Sequence, residues 1–157
     1  MVIILMGPSG VGKTTVGKIL AKKLDCDFLD GDDYHPQINI KKMRQGIPLD
    51  DDDRKPWLKA LVGEINIAIN RQKNMVLACS ALKEKYRKIL NVNSKEIKTV
   101  FLVSSYSILK ARLDKRAGHF AKTDLLKSQL DIQEIPKTGL VIDANNSLEK
   151  IVEKILI

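Results

Sequence analysis

The chain has 157 residues, enough for one domain that buries roughly 70% of its unfolded surface without disulfides or metals. Its 27 basic residues outnumber 19 acidic ones for a net charge of +8, but they scatter along the chain and aromatics make up only 4%, which argues against a nucleic-acid groove. No apolar run approaches the ~18 residues of a membrane span, and no basic segment precedes the short apolar N-terminus, so neither a membrane span nor a secretory leader is expected.

Val2–Met6 is an unbroken apolar run, as a buried parallel strand should be. It leads into Gly7-Pro8-Ser9-Gly10-Val11-Gly12-Lys13-Thr14-Thr15, where Gly7, Gly12, Lys13 and Thr14 complete the pattern G-x-x-x-x-G-K-[ST]. Apolar residues then recur at helical spacing (Val16, Ile19, Leu20, Leu24), which predicts a helix over 14–24. Strand, glycine loop and helix start together define a phosphate-binding loop. Glycine lets backbone N–H groups approach phosphate oxygens without Cβ clashes, and the helix N-terminus adds partial positive charge. Lys13 is then the residue for the β- and γ-phosphates and Thr14 the hydroxyl ligand of Mg²⁺. Ser9, Gly10, Val11 and Thr15 complete the contacts to a nucleoside triphosphate.

Further strands are expected at Asp27–Asp30, Met75–Cys79, 99–103 and 140–142. Helices are expected near 38–44, 56–71, 83–91, 105–116 and 147–156. Regular alternation of this kind predicts an α/β domain with a parallel sheet and helices on both faces. Ligands of such sheets bind beyond the carboxyl ends of the strands, so the residues after each strand carry the functional reading.

Asp30-Gly31-Asp32 follows the second strand, and its two carboxylates can face the phosphate site, Asp30 toward Mg²⁺ and Asp32 toward an acceptor hydroxyl as general base. His35, beside Pro36, is either a substrate contact or an exposed loop residue. Asp50–Asp53 reads as a solvated acidic run, with Pro56 in the first turn of the helix that follows. Only six arginines occur, and one of them, Arg54, stands directly after this run. It either clamps a carboxylate or forms a salt bridge within the run. Ser80, Lys83 and Arg87 after the third strand form a second candidate anion or polyol contact set. Cys79, like Cys26, lies in an apolar stretch and reads as a buried thiol of a reducing, cytoplasmic compartment.

Arg112 and Arg116 are four apart, hence on one helix face, and precede Gly118. They read as the base of a lid over the phosphates, covering about residues 116–130. Leu140-Val141-Ile142-Asp143 superficially looks like a metal-binding strand end, but the turn after it reads better as a helix cap formed by Asn146 and Glu149.

Beyond the phosphate loop, several blocks resemble the gluconate kinase family of P-loop small-molecule kinases. They are Asp30-Gly31-Asp32 with His35-Pro36, Asn39 with Lys42-Met43, Gly46 with Pro48-Leu49, and Asp52-Asp53-Arg54 with Pro56-Trp57-Leu58. Cys79-Ser80-Ala81-Leu82-Lys83 with Tyr86-Arg87, and Arg116 with His119-Phe120 before Leu125-Leu126 and Ser128-Gln129, continue them. The resemblance implies one kinase domain over 1–157, of the nucleoside-monophosphate and shikimate kinase type, with strand order 2-3-1-4-5 and a lid. It implies transfer of the ATP γ-phosphoryl to the 6-hydroxyl of D-gluconate with Mg²⁺, no nucleic-acid or membrane partner, and a homodimer. In that frame Lys13, Asp32 and Arg116 are catalytic, and Arg112 joins Arg116 in binding ATP. Asp32, His35, Arg54, Lys83, Arg87 and His119 bind the sugar acid, and Thr14 and Asp30 hold the metal. Pro8 departs from the family, which has a small or branched residue there. A shikimate kinase-like or other P-loop kinase is the alternative, and a regulatory or nucleic-acid-binding NTPase a more distant one.

Overall fold

The computed structural model describes residues 1–90, 94–116 and 120–157. Five parallel strands form one sheet in the order β2-β3-β1-β4-β5, as the family resemblance implies. They are β1 (Val2–Met6), β2 (Asp27–Asp30), β3 (Met75–Cys79), β4 (Ile97–Val103) and β5 (Leu140–Asp143). β1 is central, with Val2 opposite both Met75 and Ile97, and every one of its residues is buried. A central parallel strand covered on both faces has no polar side, which is why its sequence is a continuous apolar run.

Helices α1 (Lys13–Lys23), α5 (Tyr106–Asp114) and α7 (Leu148–Leu156) cover one face, packing Val16, Leu20, Leu109, Leu113, Ile151 and Ile155 onto Ile3, Leu5 and Leu102. Helices α3 (Asp51–Asn70) and α4 (Glu84–Ile89) cover the other, where Trp57, Leu58, Leu61 and Tyr86 meet Ile4, Met6 and Phe101. Two shorter elements, α2 (Gln37–Arg44) and the 3-10 turn Gly31–Tyr34, lie between β2 and α3. A further helix, α6 (Phe120–Ile132), crosses above the phosphate loop and is missing from the sequence expectation.

The start of α3 differs from its expected place at 56. Asp50 is the N-cap: its carboxylate accepts from the Asp53 N–H while the Asp53 carboxylate accepts from the Asp50 N–H. The acidic run is therefore a reciprocal cap plus the first helical turn, where negative charge is favoured, and Pro56 falls inside the helix. At the other end of the chain Ser147, not Asn146, caps α7 by accepting from the Lys150 N–H. Cys79 is buried, but Cys26 is only half-buried, because it lies in the turn joining α1 to the edge strand β2.

Gly31 anchors the loop that carries the two aspartates. A Cβ there would sit 2.8 Å from the Ala78 carbonyl oxygen and 2.9 Å from the Cys79 Cβ. Its own carbonyl accepts a 2.7 Å hydrogen bond from the Trp57 indole. Gly31→Ala must push this loop off β3, with an expected loss of about 1–3 kcal/mol in urea unfolding. A variant as stable as the parent would show that the loop is not wedged.

Candidate active site

The carboxyl ends of β1, β2 and β3, together with α2 and α6, enclose a cleft of about 700 Å³, within the usual range of ligand pockets. The phosphate loop forms its floor. Gly7 leaves β1 with φ 138°, and a Cβ would lie 2.5 Å from the Leu102 carbonyl oxygen, so only glycine lets the chain turn so close to β4. Gly12, with φ 100°, caps α1, and no atom lies within 4 Å of the place its Cβ would take. That open cradle at a helix N-terminus suits a chain of phosphates.

The Lys13 ammonium donates to the carbonyls of Gly7 and Pro8, each at 2.9 Å. These bonds aim the side chain along the loop and leave a third proton for an anion. Burial lowers the Lys13 pKa, while the Asp32 and Asp30 carboxylates oppose the shift. The Cys79 thiol, behind it, is pushed up to about 12 by its own burial, so it is inert.

Asp30 and Asp32 both line the cleft. The Thr14 hydroxyl donates to one Asp30 oxygen at 3.2 Å, and the other accepts from the Asp32 N–H at 3.0 Å. A hydroxyl and a carboxylate side by side are hard oxygen donors that fit Mg²⁺ sharing phosphate oxygens. Among the described residues no three carboxylate, histidine or cysteine side chains cluster as an all-protein metal cage. Asp32 lines the cleft beside Lys13. Asp143, by contrast, turns its carboxylate to the Asn145 N–H.

His35 is a cleft residue and not an exposed one. It is buried, stacks on Trp57 at 4.7 Å with planes 10° apart, and contacts the Asn39 amide through Nδ1 at 3.3 Å. Burial, reinforced by the Arg54 charge, lowers its pKa to about 4, so the ring is neutral at pH 7. Arg54 also lines the cleft. Its Nη1 donates to the Leu49 carbonyl and to the Tyr86 hydroxyl, and the guanidinium lies 5.3 Å over the Tyr86 ring. Among the described residues it makes no ion pair with the aspartate run; Lys42 and Lys55 pair there with Asp53 and Asp52.

Lys83 and Arg87 part from this group. Lys83 lies 3.4 Å from Asp51 in a smaller side pocket. Arg87 is buried against Phe101 and donates to the Ala81 and Leu82 carbonyls. It ties down the β3–α4 loop and does not line the cleft, because α4 turns it back into the core. Of the expected contact set after β3 only Ser80 lines the cleft.

Arg116 lines the cleft just beyond the end of α5, whereas Arg112 lies against the loop from outside. Arg112 donates to the Gly10 carbonyl at 3.4 Å and to the Ala144 carbonyl at 3.2 Å. His119 falls outside the described residues, as does the first part of the expected lid. The rest of the expected lid segment falls on α6, whose Gln129 oxygen accepts from the Ser9 N–H at 2.8 Å. Sequence reasoning missed Gln129, Ser128 and Arg44 as cleft residues. The paired Ser128-Gln129 was the one available signal.

A phosphate loop on β1, a metal-suited carboxylate at the end of β2 and one cleft that takes in both the loop and Asp32, His35 and Arg54 define a P-loop small-molecule kinase. The comparisons narrow this. The family described as "AAA domain" matches residues 2–134. The thermosensitive gluconokinase of Escherichia coli K12 is 41% identical over 155 residues, covering 96% of this chain and 83% of that protein. The gluconokinase of Arabidopsis thaliana is 39% identical, covering 98% and 92%. The crystal structure of a gluconokinase from Sinorhizobium meliloti superposes with TM-score 0.86 at 39% identity, covering 98% and 88%. This chain belongs to the gluconokinase family. Shikimate kinase from Aquifex aeolicus shares the fold, with TM-score 0.62 at 20% identity over 99% and 94%.

The lowered His35 pKa makes stability fall with acid. Above the unfolded value of 6.5 both states are neutral. Between 6.5 and about 4 the unfolded state gains the proton first, so the contribution of burial is lost over that window, in all about 3 kcal/mol. Urea unfolding at pH 7 and pH 4.5 is expected to show a smaller acid loss in His35→Gln than in the parent. Equal losses would contradict a neutral buried ring.

Proposed function

We propose that the chain transfers the γ-phosphoryl group of ATP to the 6-hydroxyl of D-gluconate, giving 6-phospho-D-gluconate and ADP. The observation that carries this is Arg54: a guanidinium lining the same cleft as Lys13 and Asp32 and free of ion pairs among the described residues. An anionic acceptor substrate accounts for it, and the gluconokinase relatives agree.

ATP lies with its phosphates on the loop, contacted by the backbone from Gly7 to Thr15, by Lys13 and by Arg116. Arg112 borders the adenosine end, between Gly10 and Ala144. Thr14 and Asp30 would hold Mg²⁺, which would supply charge neutralisation on the phosphates. Gluconate extends from the loop toward α2 and α3, its carboxylate at Arg54 and its 6-hydroxyl at Asp32. Asp32 accepts the hydroxyl proton as the oxygen bonds to phosphorus and the bond to ADP breaks. Lys13 and Arg116 meet the charge that develops on the moving group. His35 contacts the sugar acid, and His119 is kept as a contact on the strength of the family blocks. The same reading carries the expectation of a cytoplasmic enzyme that pairs as a homodimer. Among the described residues no helix is long and apolar enough to cross a membrane.

ADP release measured against D-gluconate, other aldonates, shikimate and nucleoside monophosphates tests the substrate. D-Gluconate is expected to give the highest kcat/KM, and activity confined to shikimate or a nucleotide would overturn the reading. Arg54→Leu is expected to raise the gluconate KM strongly and leave ATP binding nearly intact. A defect confined to ATP would move Arg54 to the nucleotide side.

Asp32→Asn is expected to lower kcat about 10²–10⁴-fold with Mg-ATP affinity kept, as for a lost general base. Asp30→Asn should instead raise half-saturating Mg²⁺. The reverse pattern would exchange the two roles.

A further inference from the structure

Asn39, in the first turn of α2, is 1% exposed. Its amide nitrogen faces two groups: the Asp53 carbonyl at 2.7 Å and His35 Nδ1 at 3.3 Å. A carbonyl oxygen can only accept, so the amide must turn its nitrogen this way. One proton goes to Asp53 and the other points at Nδ1. In a neutral ring Nδ1 is then the acceptor, and the ring proton sits on Nε2. The amide oxygen Oδ1 is left buried with no hydrogen-bond partner among the described residues. Asn39 thus commits both its protons and leaves its acceptor unused.

The ring cannot easily escape this arrangement. Trp57 stacks on it, and Trp57 is itself tied through its indole N–H to the Gly31 carbonyl. His35 and Arg54 both line the same cleft.

We propose that Asn39 is a positioning residue that holds His35 as its Nε2–H tautomer, so that His35 and Arg54 present a donor-only subsite for the substrate carboxylate. The carboxylate half of this rests on the sugar-acid reading above. A carboxylate only accepts hydrogen bonds, so it meets such a surface without a mismatched pair. A ring in the other tautomer would present an acceptor at Nε2 and weaken the preference for the acid over a neutral sugar.

The test uses the whole protein labelled with ¹⁵N-histidine, with His119→Gln to assign the two rings. Long-range ¹H–¹⁵N spectra at pH 7 are expected to show Nδ1 unprotonated and Nε2 protonated in His35. Asn39→Asp replaces a donor by an acceptor and is expected to move the proton to Nδ1. The gluconate KM should then rise roughly tenfold, with the KM for ATP little changed. A wild-type ring protonated on Nδ1, or on both nitrogens, overturns the proposal even if the variant does not fold. So does an Asn39→Asp protein with the proton moved and the gluconate KM unchanged. If the wild type shows the expected tautomer but does not turn over gluconate, the functional reading fails and takes the carboxylate subsite with it, while the tautomer lock stands.

Discussion

One carboxylate ties the two halves of the cleft together. Asp30 accepts from the Thr14 hydroxyl with one oxygen and from the Asp32 backbone with the other. The first bond reaches the phosphate loop and the second sets the start of the loop that carries the acceptor side. β2 itself lies two strands away from β1. The chain after β2 spans that gap because Gly31 fits where no side chain can, under the indole of Trp57. The separation of Asp30 and Asp32 is therefore set by backbone packing and not by long flexible side chains, as a pre-organised site requires.

The charged residues around the cleft divide into those that are spent and those that are not. Lys42 and Asn39 fasten α2 to the first turn of α3 through Asp53. Asp51 gathers Lys83, Lys85 and the Tyr86 hydroxyl onto the same turn, which holds the Asp51 carboxyl well below the usual carboxylate range. Arg87 is spent on backbone carbonyls. Arg44, Arg54 and Arg116 remain lining the cleft. Positive groups of this kind suit anionic ligands.

The strands, the phosphate loop and the Asp30–Asp32 pair were legible in the sequence because each rests on local chemistry: an apolar run, a glycine spacing, carboxylates at a strand end. Arg54 and Arg87 were not distinguishable, since both are arginines near aspartate or tyrosine and only tertiary packing decides which is buried. The acidic run looked like solvated surface because its capping partner at the third helical position is Asp53, where glutamate or glutamine is the commoner signal. Helix α6 escaped notice for a related reason. Its inner face carries Ser128 and Gln129 toward the cleft beside Leu125 and Leu126, so the apolar stripe that marks a core helix is interrupted.

The most direct test is a crystal structure of the chain with a non-hydrolysable ATP analogue, Mg²⁺ and D-gluconate bound together. The account predicts Mg²⁺ between Thr14, Asp30 and the phosphates, the 6-hydroxyl of gluconate within hydrogen-bond reach of Asp32, and its carboxylate on Arg54 and His35. Gluconate bound in the opposite direction, with its carboxylate toward Lys13 and its 6-hydroxyl at Arg54, would contradict it.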